Sequence, residues 1–163
     1  MTAQPPAGNF ALWSLGFRPF YLLASLFSAF SVLLWAAQFA GYLSFAYLQA
    51  AAWHGHEMLF GYTIAVIAGF LLTAVRAWTN EPTASGGPLM ALAALWVAGR
   101  VLVLTPFAMA AGIVNAAFPL VIAVAIGIPL VRARNVRNYF FIGLMLLISV
   151  LVLAVHFALQ GRV

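Results

Sequence analysis

The chain has no cysteine, no lysine and no aspartate, and its only acids are Glu57 and Glu81. Without cysteine, thiolate metal sites, disulfides and cysteine nucleophiles are excluded. Any metal must then be held by His, Met or oxygen. Only 6% of the residues are charged, whereas a water-soluble domain carries about a quarter. Too little charge is present to cover a wet surface, so the outside of the folded chain must face lipid. In a soluble protein a net charge of +5 would suggest nucleic acid. Here the Arg residues sit at the ends of apolar runs and in connections, where they set membrane orientation, and no nucleic-acid partner is expected.

What is present is apolar sequence. Two thirds of the residues are hydrophobic, and a spanning helix needs about 20 mainly apolar residues. Five stretches qualify, at about 20–42, 54–75, 89–106, 107–131 and 138–160. They predict an all-α fold, a polytopic transmembrane helical bundle of about five spans forming one domain over 1–163. The first stretch exceeds a signal-peptide apolar region and reads as a retained helix. Pro19 suits its first turn, where a missing N–H costs nothing. Thr79 to Pro88 reads as a polar, turn-rich loop, and a turn around Thr105 and Pro106 separates the third and fourth spans. No soluble domain, low-complexity tract or internal repeat is evident.

With five spans, Arg18, Arg76, Arg132, Arg134 and Arg137 fall on one side. The other side has Arg162 at its end and Arg100 within a span. The positive-inside rule puts the N-terminus in the cytoplasm and the C-terminus outside. An odd number of spans hints at a homo-oligomer or a partner subunit.

Ionisable groups inside spans are expensive and mark sites. The densest group, Trp53-His54-Gly55-His56-Glu57-Met58, opens the second span. On a regular helix His54 shares a stripe with Glu57, Met58, Gly61 and Ala65, while His56 points about 160° to 200° away. Both rings can face one centre only if the backbone at Gly55 leaves the helix, which glycine permits. His156 falls near the outer end of the fifth span, on a stripe with Ser149 and Met145. Counting spans therefore places all three histidines at one depth. Arg100, in the outer half of the third span, needs an anionic partner, either Glu57 or a cofactor carboxylate. Asn115 precedes Pro119 by four residues, so its carbonyl loses its helical partner and a kink is expected.

Three His with Glu57, Met58 and Arg100 suit haem or copper. Imidazole ligates both metals, thioether sulfur favours Cu(I), and Arg can pair with haem propionates. Two His on different helices at equal depth also suit bis-imidazole ligation of a haem. Plainer readings stand beside these. The His-Glu group can be an interfacial cap, His156 an ordinary interfacial histidine, and Arg100 a snorkelling side chain. Gly61, Ala65 and Gly69 read as a helix-packing seam rather than a substrate path. Most of the five Trp suit aromatic belts, with Trp96 packed mid-span.

Ser14-Leu15-Gly16-Phe17-Arg18-Pro19-Phe20, then Trp53 to Gly61 (Trp-His-Gly-His-Glu-Met-Leu-Phe-Gly), then Ala68-Gly69-Phe70-Leu71-Leu72-Thr73-Ala74-Val75 resemble the NnrS family. Trp78-Thr79, Leu95 to Arg100 and Arg137-Asn138-Tyr139 extend the likeness along nearly the whole chain. The resemblance is to the N-terminal portion of that family, whose members are typically much longer and have more spans. It implies a bacterial inner-membrane protein containing haem and copper, linked to denitrification and to protection against nitric oxide stress. His54, His56 and His156 would be metal ligands with Met58, and Arg100 would pair with a propionate or another anion. Glu57 would orient a histidine through its other ring nitrogen, or accept a proton. No catalytic residue and no reaction follow from it. A metal-free transporter-like bundle or an assembly subunit is the alternative.

Overall fold

The structure is a computed structural model that describes residues 11–44, 48 and 50–160. Arg162, assigned to the far end of the last span, lies outside them. Five helices follow in order: α1 (Phe17–Phe39), α2 (Ala50–Thr79), α3 (Gly87–Val103), α4 (Ala108–Arg132) and α5 (Phe140–Gln160). The described residues contain no strand. Four helical stretches are long and apolar enough to cross a membrane: Phe17–Phe39, Ala50–Thr79, Ala108–Arg132 and Val136–Ala158. The α3 helix, with 17 residues, is about 25 Å long, slightly under the roughly 30 Å of a bilayer's hydrocarbon core.

Element ends follow local chemistry. The α2 helix ends on Asn80, left-handed at φ 60° with its N–H bonded to the Arg76 carbonyl, a usual way to stop a helix. The loop that follows turns at Gly86, also at positive φ (58°), and Pro88 stands in the first turn of α3. Between α3 and α4 lies the expected short turn. In contrast to an unbroken α-helix, α2 contains a π-helical segment, Glu57–Thr63. Its widened turn is sealed by Thr63 Oγ1, which donates to the Met58 carbonyl at 2.8 Å.

The bundle is apolar outside as well as inside. Phe30, Leu33, Val124 and Val150 are more than half exposed, as surfaces in lipid can be. Phe20, Leu71, Leu72, Leu89, Ile122, Ile126, Leu130 and Met145 form the main core. Leu48, Trp53, Val103 and Ala111 form a smaller cluster towards the other end. Helices approach closely along small residues. A Cβ on Gly69 would meet Phe20 Cβ at 2.9 Å, and Ala65 is fully buried, so the Gly61, Ala65, Gly69 series is a packing seam. Thr73 Oγ1 accepts from the Phe17 N–H at 3.0 Å, which pins the start of α1 to α2.

Three connections meet at one end of the bundle. Gly86 N–H donates to the Trp13 carbonyl at 2.8 Å, and Asn135 Nδ2 donates to the Trp78 carbonyl at 3.3 Å. That end therefore gathers Arg18, Arg76, Arg132, Arg134 and Arg137.

Candidate functional site

Between the two apolar clusters lies a polar layer, reached by α2 after Trp53, by α3 after Trp96, by α4 before Phe118 and by α5 after Met145. Buried there are His56, Glu57, Arg100, Asn115, Ser149 and His156. In a bundle with this little charge, each of these groups needs a partner, because a buried ion left unpaired costs several kcal/mol.

Glu57 is the centre of the network. Its Oε1 lies 2.8 Å from His56 Nδ1, and its Oε2 accepts from Arg100 Nη1 at 2.7 Å. Arg100 Nη2 donates to Asn115 Oδ1. Asn115 Nδ2 in turn donates to the Ala111 carbonyl at 2.8 Å. The guanidinium also lies 5.7 Å from the ring centre of Trp96 and 5.8 Å from that of Phe27, close enough for cation–π attraction. Arg100 is thus folded into the bundle, not snorkelling to the interface. Trp96 Nε1 donates to the Gly61 carbonyl at 3.0 Å, tying α3 to the π-helical turn.

Glycines make this closeness possible. A Cβ on Gly61 would run into the Arg100 guanidinium and stand 3.0 Å from Glu57 Oε2; one on Gly99 would lie 3.1 Å from Asn115 Oδ1; one on Gly112 would lie 3.0 Å from His156 Cβ. On α5, Ser149 Oγ donates to the Ala116 carbonyl at 2.8 Å. Pro119 is accommodated within a helix that runs unbroken from Ala108 to Arg132.

The histidines divide. The His56 and His156 rings meet edge to face with centres 4.8 Å apart. An ionised carboxylate only accepts, so the contact with Glu57 puts the His56 proton on Nδ1 and leaves a lone pair on Nε2. That Nε2 is buried without a hydrogen-bond partner. His156 Nδ1 lies 2.9 Å from the Val152 carbonyl, which fixes its tautomer in the same sense. His54 faces elsewhere, stacked on Trp35 at 4.4 Å between ring centres and 19° between planes.

The expected stripe joining His54 to Glu57 is therefore corrected. Through Gly55 the backbone stays helical, and π-winding begins at Glu57. His56 and Glu57 turn inward together, and His54 turns towards α1. Met58 is half-buried on the π-helical turn. Among the described residues no three His, Cys, Asp or Glu side chains gather closely enough to hold one ion, so the three-histidine grouping does not form. The role of Asn115 as the partner of Arg100 was not read from the sequence. A polar side chain at the depth of Arg100 was the available signal.

The residues can be tested against the two groups that the resemblance implies. Two imidazoles on one ion have ring centres at most about 6 Å apart, from metal–nitrogen bonds near 2.0 Å. The observed 4.8 Å lies within that limit, so the spacing of His56 and His156 permits a shared ion. Ligation across a porphyrin needs the full separation and a flat slot. Here His156 abuts Gly112 of α4, and the Phe60 ring centre is 5.3 Å from that of His56. The pair does not fit a haem held between its rings.

Among known proteins, the family model described as NnrS protein matches residues 11–163. No curated protein and no solved structure matches the chain.

Proposed function

For this chain, which belongs to the NnrS family, we propose a metal-binding role within the membrane in the handling of nitric oxide or in protection from nitrosative stress. The observation that carries the reading is the meeting of His56 and His156 at 4.8 Å, with the buried Nε2 of His56 turned away from its Glu57 partner. Glu57 orients the imidazole and raises its basicity, as carboxylates commonly do behind metal-bound histidines. Arg100 balances the charge of Glu57, and Asn115 holds Arg100 in place. Helices α4 and α5 exclude water around His156. A copper ion bound by this pair would supply a redox-active centre for a small diatomic ligand such as nitric oxide. Haem is not assigned to the pair. His54 and Met58 remain candidates for other metal contacts.

The reading includes a setting. The five Arg residues gathered at one bundle end support a cytoplasmic N-terminus in the bacterial inner membrane, by the positive-inside rule. Metal analysis and absorption spectra of the detergent-purified protein, oxidised and reduced, test the function. Copper near one per chain or per dimer, lost in His56→Ala and in His156→Ala, supports it. Cells lacking the protein should also lose tolerance to a nitric oxide donor, restored by the wild-type chain but not by His56→Ala. A folded sample that takes up no metal under copper and haem supply would sink the reading, leaving a bundle that transports or assists a partner.

A further inference from the structure

We infer that the groove between α4 and α5, at the arginine-bearing end of the bundle, seats one anionic phospholipid. Its phosphate lies on Arg132 and the adjoining turn, and an acyl chain runs between the two helices. The seat shares no residue with the polar layer and stands independently of any metal.

The groove has a volume of about 540 Å³ and is lined by Ala123, Gly127, Val131 and Arg132 of α4 and by Ile142 and Leu146 of α5. Arg132 is the only polar side chain in the lining. From Ala123 to Arg132 the helix rises about 13 Å, close to the roughly 15 Å of hydrocarbon in one leaflet. The groove therefore has the length of a lipid's apolar part, with the cation at its headgroup end. A Cβ on Gly127 would already touch Ile142 at 3.6 Å, so a longer side chain there would take the space of an acyl chain.

Charge identifies the occupant. Arg132, Arg134 and Arg137 are all exposed. The ion pairs among the described residues all belong to Glu57, so these three guanidinium groups have no carboxylate partner. The asparagines of the same turn are engaged: Asn135 donates to the Trp78 carbonyl, and Asn138 donates to Asn135 Oδ1. They tie the turn to α2 and leave the arginines to a ligand. A phosphodiester accepts from guanidinium groups, and basic pockets between spanning helices take anionic headgroups.

The backbone adds a third observation. Arg134 is left-handed at φ 50°. It closes α4 through its own N–H on the Val131 carbonyl at 3.0 Å and the Asn135 N–H on the Leu130 carbonyl at 2.9 Å. Glycine is the usual residue at such a helix end and takes that conformation more cheaply. The turn itself does not call for an arginine, whereas a phosphate does. A groove at the start of α1 also ends on a cation, Arg18, but Arg18 Nη1 already donates to the Ala11 carbonyl and to Ser14 Oγ.

The test is native mass spectrometry of the full chain, titrated in detergent with phosphatidylglycerol against phosphatidylcholine of the same acyl chains. The expected result is one phosphatidylglycerol retained per chain, with at least a tenfold preference over phosphatidylcholine. Arg132→Gln and Arg134→Gly should each lower that preference roughly fivefold, the near-surface contribution of one Arg towards anionic lipid. Arg134→Gly should also keep or raise Tm in lipid-free detergent, which loss of a purely structural arginine would not do. Gly127→Leu should cut retention of both lipids tenfold or more by filling the groove. Arg76→Gln removes the same charge from the same end and should leave the preference within twofold. Circular dichroism qualifies each variant; Ile128→Trp, at an exposed position in the same lining, replaces Gly127→Leu if that chain does not fold. No preference, or an equal loss in Arg76→Gln, would overturn the seat and leave only diffuse attraction to a charged end. A lipid-free dimer that Gly127→Leu dissociates would overturn it in favour of a second copy of the chain in the groove.

Discussion

His54 and His56 stand two residues apart on one helix in opposite surroundings. Around His56 the polar atoms answer one another, from His56 through Glu57 and Arg100 to Asn115 and the Ala111 carbonyl. Around His54 fewer of them do. Gln38 Oε1 accepts from the Ala50 N–H at 2.9 Å, but Trp35 Nε1, Gln38 Nε2 and His54 Nδ1 are buried without a hydrogen-bond partner, and the His54 and Trp35 rings stack. The first region depends on paired charge and is unforgiving of loss. The second depends on apolar area, and its polar atoms add little. The same residue type therefore carries different weight on the two sides of one helical turn.

The comparison can be broken most severely at Glu57. Glu57→Ala removes the partner of Arg100 and leaves an uncompensated cation in the bundle, at an expected cost of about 3–5 kcal/mol. Thermal unfolding in detergent should show a large drop in Tm or no folded protein at all. The double change Glu57→Gln with Arg100→Met should recover much of that loss. If Glu57→Ala unfolds at the wild-type temperature, the network contributes nothing to stability.

Next in size is Gly112→Val. The new side chain would push into His156, and overpacking of this kind costs about 1–3 kcal/mol. It should also separate the two rings and so lower metal uptake along with Tm. Gly55→Ala is the matched control, because a Cβ there meets nothing within 4 Å. Equal effects of the two changes would contradict the close seat of His156.

Two Trp→Phe changes sharpen the contrast at smaller scale. Trp96→Phe deletes the bond to the Gly61 carbonyl and should cost about 1 kcal/mol. Trp35→Phe deletes an N–H that has no hydrogen-bond partner and keeps an aromatic face for His54, so its cost should come only from the packing area that the smaller ring gives up. The difference in Tm between the two variants is the measurement. A larger loss from Trp35→Phe would mean that its N–H has a structural role.

Much of this was legible in the sequence because the bilayer limits the choices. Long apolar runs in a chain with so little charge must be helices, and a count of five spans put the second-to-third and fourth-to-fifth connections on one side with the N-terminus. Counting helices also placed the three histidines at one depth, and the structure joins two of them, His56 and His156. The rotation of α2 was not legible. A helical wheel assumes 3.6 residues per turn, and the π-helical segment at Glu57–Thr63 changes that winding at the residue where the direction of each side chain matters. The places of Gly99 and Gly112 were equally hidden, since a glycine shows its purpose only when the neighbour that needs the space is known.

The sequence by itself determined that the chain is a membrane-embedded helical bundle, because its composition leaves no other way to satisfy the backbone away from water. It also named the few polar residues that could carry chemistry. Which of them meet was decided by tertiary packing alone. His56 joins His156, and His54 joins Trp35, because the winding of α2 and the absence of side chains at Gly61, Gly99 and Gly112 set how closely four helices can approach.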